Sequence, residues 1–230
     1  MLAPSMPPAL TGWMRVVIAG GHGKIALILE RLLVEAGHEP IAVIRNPEHR
    51  ADIDATGAAA VVLDLEEASV DEVGQVLKNA DAAVFAAGAG PGSTAERKFT
   101  VDRDAAILLA DAAEVAGVPR LIVISAIATD RFDPDSQDIF QLYLRAKSEA
   151  DASIRSRDLD WTIVRPGSLT NDPGIGRIHA AEVVPGGGRI PRADVAAIIA
   201  SLLETGAASR TQFEVVSGDE PIAGALAGLA

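Results

Sequence analysis

The chain predicts an α/β fold: one doubly wound parallel sheet, covered by helices on both faces, with a short C-terminal substrate-side segment. Three observations predict it. Short β-branched runs alternate with amphipathic stretches along the 230 residues, the pattern of strands joined by helical crossovers. One helix-exit grammar, glycine followed closely by proline and then a strand, occurs twice, at Gly37/Pro40 and Gly117/Pro119. No repeat of 20–50 residues and no low-complexity block interrupts the alternation.

The elements follow in order. Residues 14–19 form the first strand, continuously apolar after Arg15 as a strand covered on both faces should be. In the helix that follows, Ile25, Ile28, Leu29, Leu32, Leu33 and Ala36 fall on one face. Strands are expected at 41–44, 60–63, 82–86, 121–124, 161–164 and 212–216, and helices at 69–78, 94–116, 136–157 and 192–203. The strand order should be 3-2-1-4-5-6, with the run 212–216 added as a seventh strand. Residues 1–12, with Pro4, Pro7 and Pro8 and no basic cluster or apolar core, read as a disordered tail and not a secretory signal. Residues 13–230 then make a single domain. Within it, 171–189 looks flexible because of Pro173, Gly174, Gly176 and Gly186 to Gly188, and 166–190 is expected to lie over the substrate.

Composition narrows the function. A net charge of −12 opposes nonspecific attraction to nucleic acid or anionic membrane. Hydrophobic residues make up 49%, but alanine supplies much of this and no apolar run approaches the roughly 18–20 residues of a membrane span. The absence of cysteine removes disulfides, thiolate metal sites and cysteine nucleophiles, and is compatible with a reducing cytoplasm. The four histidines lack ligand spacing, so no metal is expected. A cytoplasmic protein acting on a small molecule is the expectation, with no nucleic-acid or membrane partner and no reading of oligomeric state.

Chemistry should sit where ligands bind in such sheets, outside the carboxyl ends of the strands. Between the first strand and helix lies Gly20-Gly21-His22-Gly23-Lys24-Ile25-Ala26, a G-x-x-G-x-x-A pattern. Its glycines allow a tight turn and bring backbone N–H groups close to a pyrophosphate at the helix N-terminus, and Ala26 lets helix and sheet pack closely. The second strand ends in Arg45, where an NAD-selective site usually offers a carboxylate to the ribose hydroxyls. An arginine there suits a 2′-phosphate and favours NADP over NAD, with Arg50 or His49 as assistants. Asp64 either accepts a hydrogen bond from the adenine amino group or caps the next turn. Ala86-Ala87-Gly88-Ala89-Gly90 forms a shelf almost free of side chains.

Ser125 closes the fifth strand, and Tyr143 and Lys147 follow at i and i+4 on a helix. Tyr143 is the only tyrosine, and Lys147 one of four lysines. The shared face brings ammonium to phenol, which should draw the phenol's pKa down from about 10 and make it a usable acid/base. Ser125 can hold a substrate carbonyl oxygen beside it. The run Asp130, Asp133, Asp135 and Asp138 reads as solvated loop and capping groups.

Taken together, Gly20 to Ala26, Val43 to Arg45, Asp64, Phe85 to Gly88, Ser125, the Tyr143/Lys147 pair, residues 161–167 and Arg192-Ala193-Asp194-Val195-Ala196 resemble the short-chain dehydrogenase/reductase superfamily. The resemblance is to its atypical branch of small NAD(P)H-binding, NAD-dependent epimerase/dehydratase-like proteins, over nearly the whole chain. It implies a Rossmann fold, with Ser125, Tyr143 and Lys147 as the catalytic residues. It also implies cofactor contacts from Gly20, His22, Gly23, Lys24, Ile25, Arg45, Asp64, Leu65, Ala87, Gly88, Lys147 and Pro166. Ala19, Ala26 and Ala126 depart from residues frequent in that branch. The implied activity is hydride transfer between NADP(H) and a small carbonyl or alcohol. Flavin, quinone or biliverdin-type reduction, an NmrA-like NAD(P)-binding redox sensor and a sugar epimerase/dehydratase are the alternatives, the last disfavoured because only 65 residues follow Arg165.

Overall fold

The computed structural model describes residues 12–90 and 92–229. The tail expected at 1–12 lies, apart from Gly12, outside them. Six parallel strands make the centre: β1 (Arg15–Ala19), β2 (Glu39–Ile44), β3 (Ala59–Val62), β4 (Ala82–Phe85), β5 (Arg120–Ile124) and β6 (Asp160–Pro166). Two short strands, β7 (Ser168–Thr170) and β9 (Arg189–Pro191), pair with each other. The main sheet also takes in β8 (Arg177–Ala181), β10 (Thr211–Ser217) and β11 (Glu220–Pro221), in the order β11-β8-β10-β6-β5-β4-β1-β2-β3. The expected 3-2-1-4-5-6 order is therefore found, with β10 parallel to β6 as the seventh strand.

The helices divide between the two faces because alternate strand residues point opposite ways. Val16 and Ile18 of β1 join Leu29 and Leu33 of α1 (Lys24–Glu35) and Ile199 and Leu203 of α7 (Arg192–Thr205) in one core. Val17 and Ala19 join the other, with Val73 and Leu77 of α3 (Val70–Leu77), Leu109 and Ala113 of α5 (Ala105–Ala116) and Ile154 of α6 (Ile139–Arg155). Five of the six buried residues of α5 are alanines, so this helix lies close to the sheet. The alanine-rich composition is thus core packing and not a membrane signal. Among the described residues no helix is long and apolar enough to cross a membrane.

The helix expected over 94–116 is interrupted. A short α4 (Ala95–Arg97) runs into a π-helical stretch, Lys98–Asp104, before α5 begins. Two small elements had no periodic signal: α2 (Arg50–Asp54) and the C-terminal α8 (Ile222–Ala227). The stretch 171–189 needs correction, because β8 lies within it, antiparallel to β10. Only Ile178 of β8 is fully buried, so the strand shows little apolar alternation; it is specified by backbone pairing with β10 and β11. Buried Asp194 at the start of α7 fixes the approach to β8, accepting hydrogen bonds from the N–H groups of Ile175 and Gly176 at 3.1 and 2.8 Å.

Candidate functional site

Parallel pairing puts the carboxyl ends of β1 to β6 along one edge, and a cleft of about 390 Å³ opens there. Gly20 begins the turn after β1 with φ of +82°, and a Cβ on it would stand 2.5 Å from the Cα of Ala87. A Cβ on Gly21 would stand 2.5 Å from that of Ala42. Only glycine permits this wedge between β4 and β2. Gly23 then caps α1 without a side-chain hydrogen bond, so among the described residues the first-turn N–H groups receive no side-chain partner. That end suits a pyrophosphate, and the residues present fit the phosphate-binding half of a dinucleotide.

Eight of the expected cofactor residues line this cleft: Gly20, His22, Gly23, Arg45, Asp64, Leu65, Ala87 and Gly88. Four do not. Lys24 is exposed, Ile25 packs into the core, Pro166 is buried at the end of β6, and Lys147 is buried outside the cleft lining. His22 is braced: its Nε2 is 2.7 Å from Asp52 Oδ2, and its ring stacks on His49 at 3.5 Å between centroids. Asp64 Oδ1 accepts the N–H of Glu66, a turn-capping contact.

At the Arg45 end the structure adds two residues that sequence reasoning missed. Glu66 Oε2 accepts from Arg45 Nη1 at 2.8 Å and from Arg97 Nη2 at 2.7 Å. Its Oε1 accepts from Thr100 Oγ1 at 2.6 Å and from Arg97 Nε at 3.3 Å. The Arg97 hydrogen bonds, aided by Thr100, hold the Glu66 carboxyl below the usual carboxylate range.

The expected catalytic residues form a second group. Tyr143 is half-buried, and its ring lies 5.4 Å from Lys98 Nζ and 6.1 Å, centroid to centroid, from that of Phe140. Lys147 does not serve the phenol as expected. Its buried ammonium lies 3.4 Å from Asp102 Oδ1 and donates to the Ile124 carbonyl at 3.1 Å. Burial first, then the charges of Asp102 and Asp151, push the phenol above the usual tyrosine range, reversing the expected direction. Ser125 is also committed: its Oγ donates to Asp151 Oδ2 at 2.8 Å. Asp151, fully buried and with its carboxyl pushed up by that burial, is bound in turn by Arg165, which pairs bidentately with Asp130. Arg165 is therefore occupied and is not a free anion receptor.

Two residues of the π-helical stretch join the groups. Asp102, at Lys147 on one side, accepts the Ala89 N–H at 3.2 Å on the other, and a Cβ on Gly88 would stand 3.1 Å from its Oδ1. Lys98, beside Tyr143, donates to the Gly90 carbonyl at 2.9 Å. The shelf after β4 is thus tied to both Tyr143 and Lys147. Lys98 and Asp102 carried no recognisable signal, since the i,i+4 spacing gains its meaning here from a local π-helix.

A family model described as NAD(P)H-binding matches residues 20–206. A Bacillus subtilis protein named uncharacterized sugar epimerase YhfK is 36% identical over 215 residues, covering 93% of this chain and 99% of that one. A solved Bacillus halodurans structure, named as an NAD-dependent epimerase/dehydratase, is 37% identical with a TM-score of 0.84, over 94% of this chain and all of that one. The Lactococcus lactis oxidoreductase ylbE is 26% identical with a TM-score of 0.79, over 94% and 96%. With its glycine turn, its strand order and these matches in agreement, the chain belongs to the NAD(P)H-binding family, among the atypical proteins similar to short-chain dehydrogenases/reductases.

Proposed function

We propose that the protein is an NADP(H)-dependent oxidoreductase moving hydride to or from a small carbonyl or alcohol substrate, with Tyr143 handling the proton. The observation that carries this reading is the pair of ties from the π-helical stretch, Lys98 between Gly90 and Tyr143 and Asp102 between Ala89 and Lys147. They support reading the cofactor shelf and the tyrosine as parts of one site. A nicotinamide, when bound, supplies or accepts the hydride. Gly20, Gly23 and the α1 N-terminus would hold the pyrophosphate, and Arg45 the 2′-phosphate. Tyr143, whose phenol keeps its proton at neutral pH, serves as the acid in carbonyl reduction. Ser125 takes a role different from the one its position suggests. With its proton on Asp151, it presents lone pairs to the site and accepts a hydrogen bond instead of donating one to a carbonyl. Exposed Phe140 adds an apolar surface beside the phenol.

A second reading is favoured by the same commitments of Lys147 and Ser125: reduction of a flavin, quinone or tetrapyrrole acceptor that needs no proton from Tyr143. The names of the relatives make sugar epimerisation a third. Thermal-shift titration with NADP⁺ and NAD⁺, followed by NADPH oxidation against aldehydes, ketones, quinones, flavins and nucleotide sugars, separates them. Turnover of aldehydes or ketones that depends on Tyr143 supports the proposal. Binding without turnover points to a sensor.

A further inference from the structure

Glu66 stands where a 2′-phosphate would seek its counter-charges. Its carboxylate receives four donated hydrogen bonds, and three of them, from Thr100 and the Arg97 fork, come from the segment after β4. These leave it little freedom to swing aside. Arg45 is the looser partner, with a single hydrogen bond among the described residues and a side chain 54% exposed against 19% for Glu66. A phosphate that recruits Arg45 must therefore lie beside a fixed carboxylate. A phosphomonoester carries about −1.5 to −2 charges at neutral pH, so the two anions compete for the same guanidiniums. A ribose 2′-hydroxyl has the opposite preference, because it can donate to a carboxylate oxygen.

We infer that Glu66 sets the cofactor preference of this protein, its carboxylate holding the anion position between Arg45 and Arg97 so that NADP(H) is favoured less than the two arginines alone would allow. The inference rests on the reading that the cleft takes an NAD(P) adenosine ribose beside Arg45. It explains why a cleft with two converging arginines also carries a half-buried acid between them, in contact with both.

The test is a binding titration that needs no substrate: NADP⁺ and NAD⁺ against the parent, Glu66→Gln and Glu67→Gln, at low salt and at about 0.5 M salt. Glu67 is the exposed neighbour and controls for simple loss of one negative charge. Glu66→Gln should tighten NADP⁺ by roughly tenfold at low salt and leave NAD⁺ unchanged or weaker, with the gain shrinking at high salt. Glu67→Gln should move the Kd ratio by less than about twofold, as expected of a screened surface charge. A ratio in Glu66→Gln that stays at the parent value, or matches Glu67→Gln, overturns the inference. Failure of the parent to bind either cofactor overturns the cofactor reading instead. If the Gln variant does not fold, Glu66→Asp keeps the charge but draws it back from Arg45, and should shift the ratio toward NADP⁺ by about threefold; an unmoved ratio there is equally decisive.

Discussion

Lys147, one helical turn beyond Tyr143 on α6, directs its ammonium to Asp102, 3.4 Å away, and not to the phenol. Both partners are almost wholly buried, and Asp102 also holds the Ala89 N–H. The pair therefore anchors the shelf after β4 to α6, and its removal should be felt first in stability.

Asp102→Asn leaves a buried ammonium without its counter-charge. Breaking such a pair costs about 3–5 kcal/mol, which for a chain of this size lowers Tm by about 6 °C or more. Adding Lys147→Met should recover part of the loss, because the stranded charge is gone. Urea denaturation of the parent, both single variants and the double variant measures this; costs that simply add would show that the two groups are not coupled.

Tyr143→Phe should leave the fold and cofactor affinity intact and lower carbonyl turnover by roughly 10²–10⁴. Because burial and two carboxylates raise the phenol's pKa, it remains the protonated, proton-donating form throughout the neutral and mildly alkaline range. The reduction rate should accordingly show no alkaline fall owed to Tyr143 between pH 7 and about pH 9.5. A falling limb in that window, present in the parent and absent from the profile of Tyr143→Phe, would mean the phenol is poised lower.

Arg45→Asp should weaken NADP⁺ while leaving NAD⁺ little changed. Arg45 is more than half exposed and already shared with Glu66, so the selectivity change is about 1–2 kcal/mol, below the value of a desolvated contact. Competitive titration of the two cofactors reads it, and an equal loss for both would remove Arg45 from the 2′-phosphate role.

Glu30 of α1 is fully buried, among the described residues bonded only to Thr56 Oγ1 at 3.0 Å, and burial raises its carboxyl to about 7. The folded chain thus holds this proton to higher pH than the unfolded chain does. The group's contribution to stability is greatest below the ordinary value of 4.5, falls as pH rises to about 7 and is flat beyond. Glu30→Met, similar in length and uncharged, should stabilise the protein at pH 8 by up to about 3 kcal/mol and by clearly less at pH 5. Thr56 keeps a partner in the Ile53 carbonyl. Denaturation at the two pH values checks this, and an equal gain at both would exclude ionisation as the cause.

The sequence by itself determined the parallel strand order, the glycine turn and eight of the cleft residues: Gly20, His22, Gly23, Arg45, Asp64, Leu65, Ala87 and Gly88. These depend on local period, on turn chemistry and on the general rule that crossovers deliver strand ends to one edge. Ser69 and Glu72, for instance, form the capping box that starts α3 where the helix was expected. Only the tertiary structure decided what the polar groups near those ends do. The spacing of Tyr143 and Lys147 established a shared helix face, but the ammonium's partner is set by Asp102, 45 residues earlier in the chain, which a π-helix turns inward. The Ser125 proton likewise goes to Asp151, and Arg45 meets Glu66 and, through it, Arg97. β8 was missed for a related reason, since its specification comes from backbone pairing with β10 and not from its own apolar pattern. A buried charge seeks whichever opposite charge the fold brings within reach, and that choice is a long-range property with no period in the sequence.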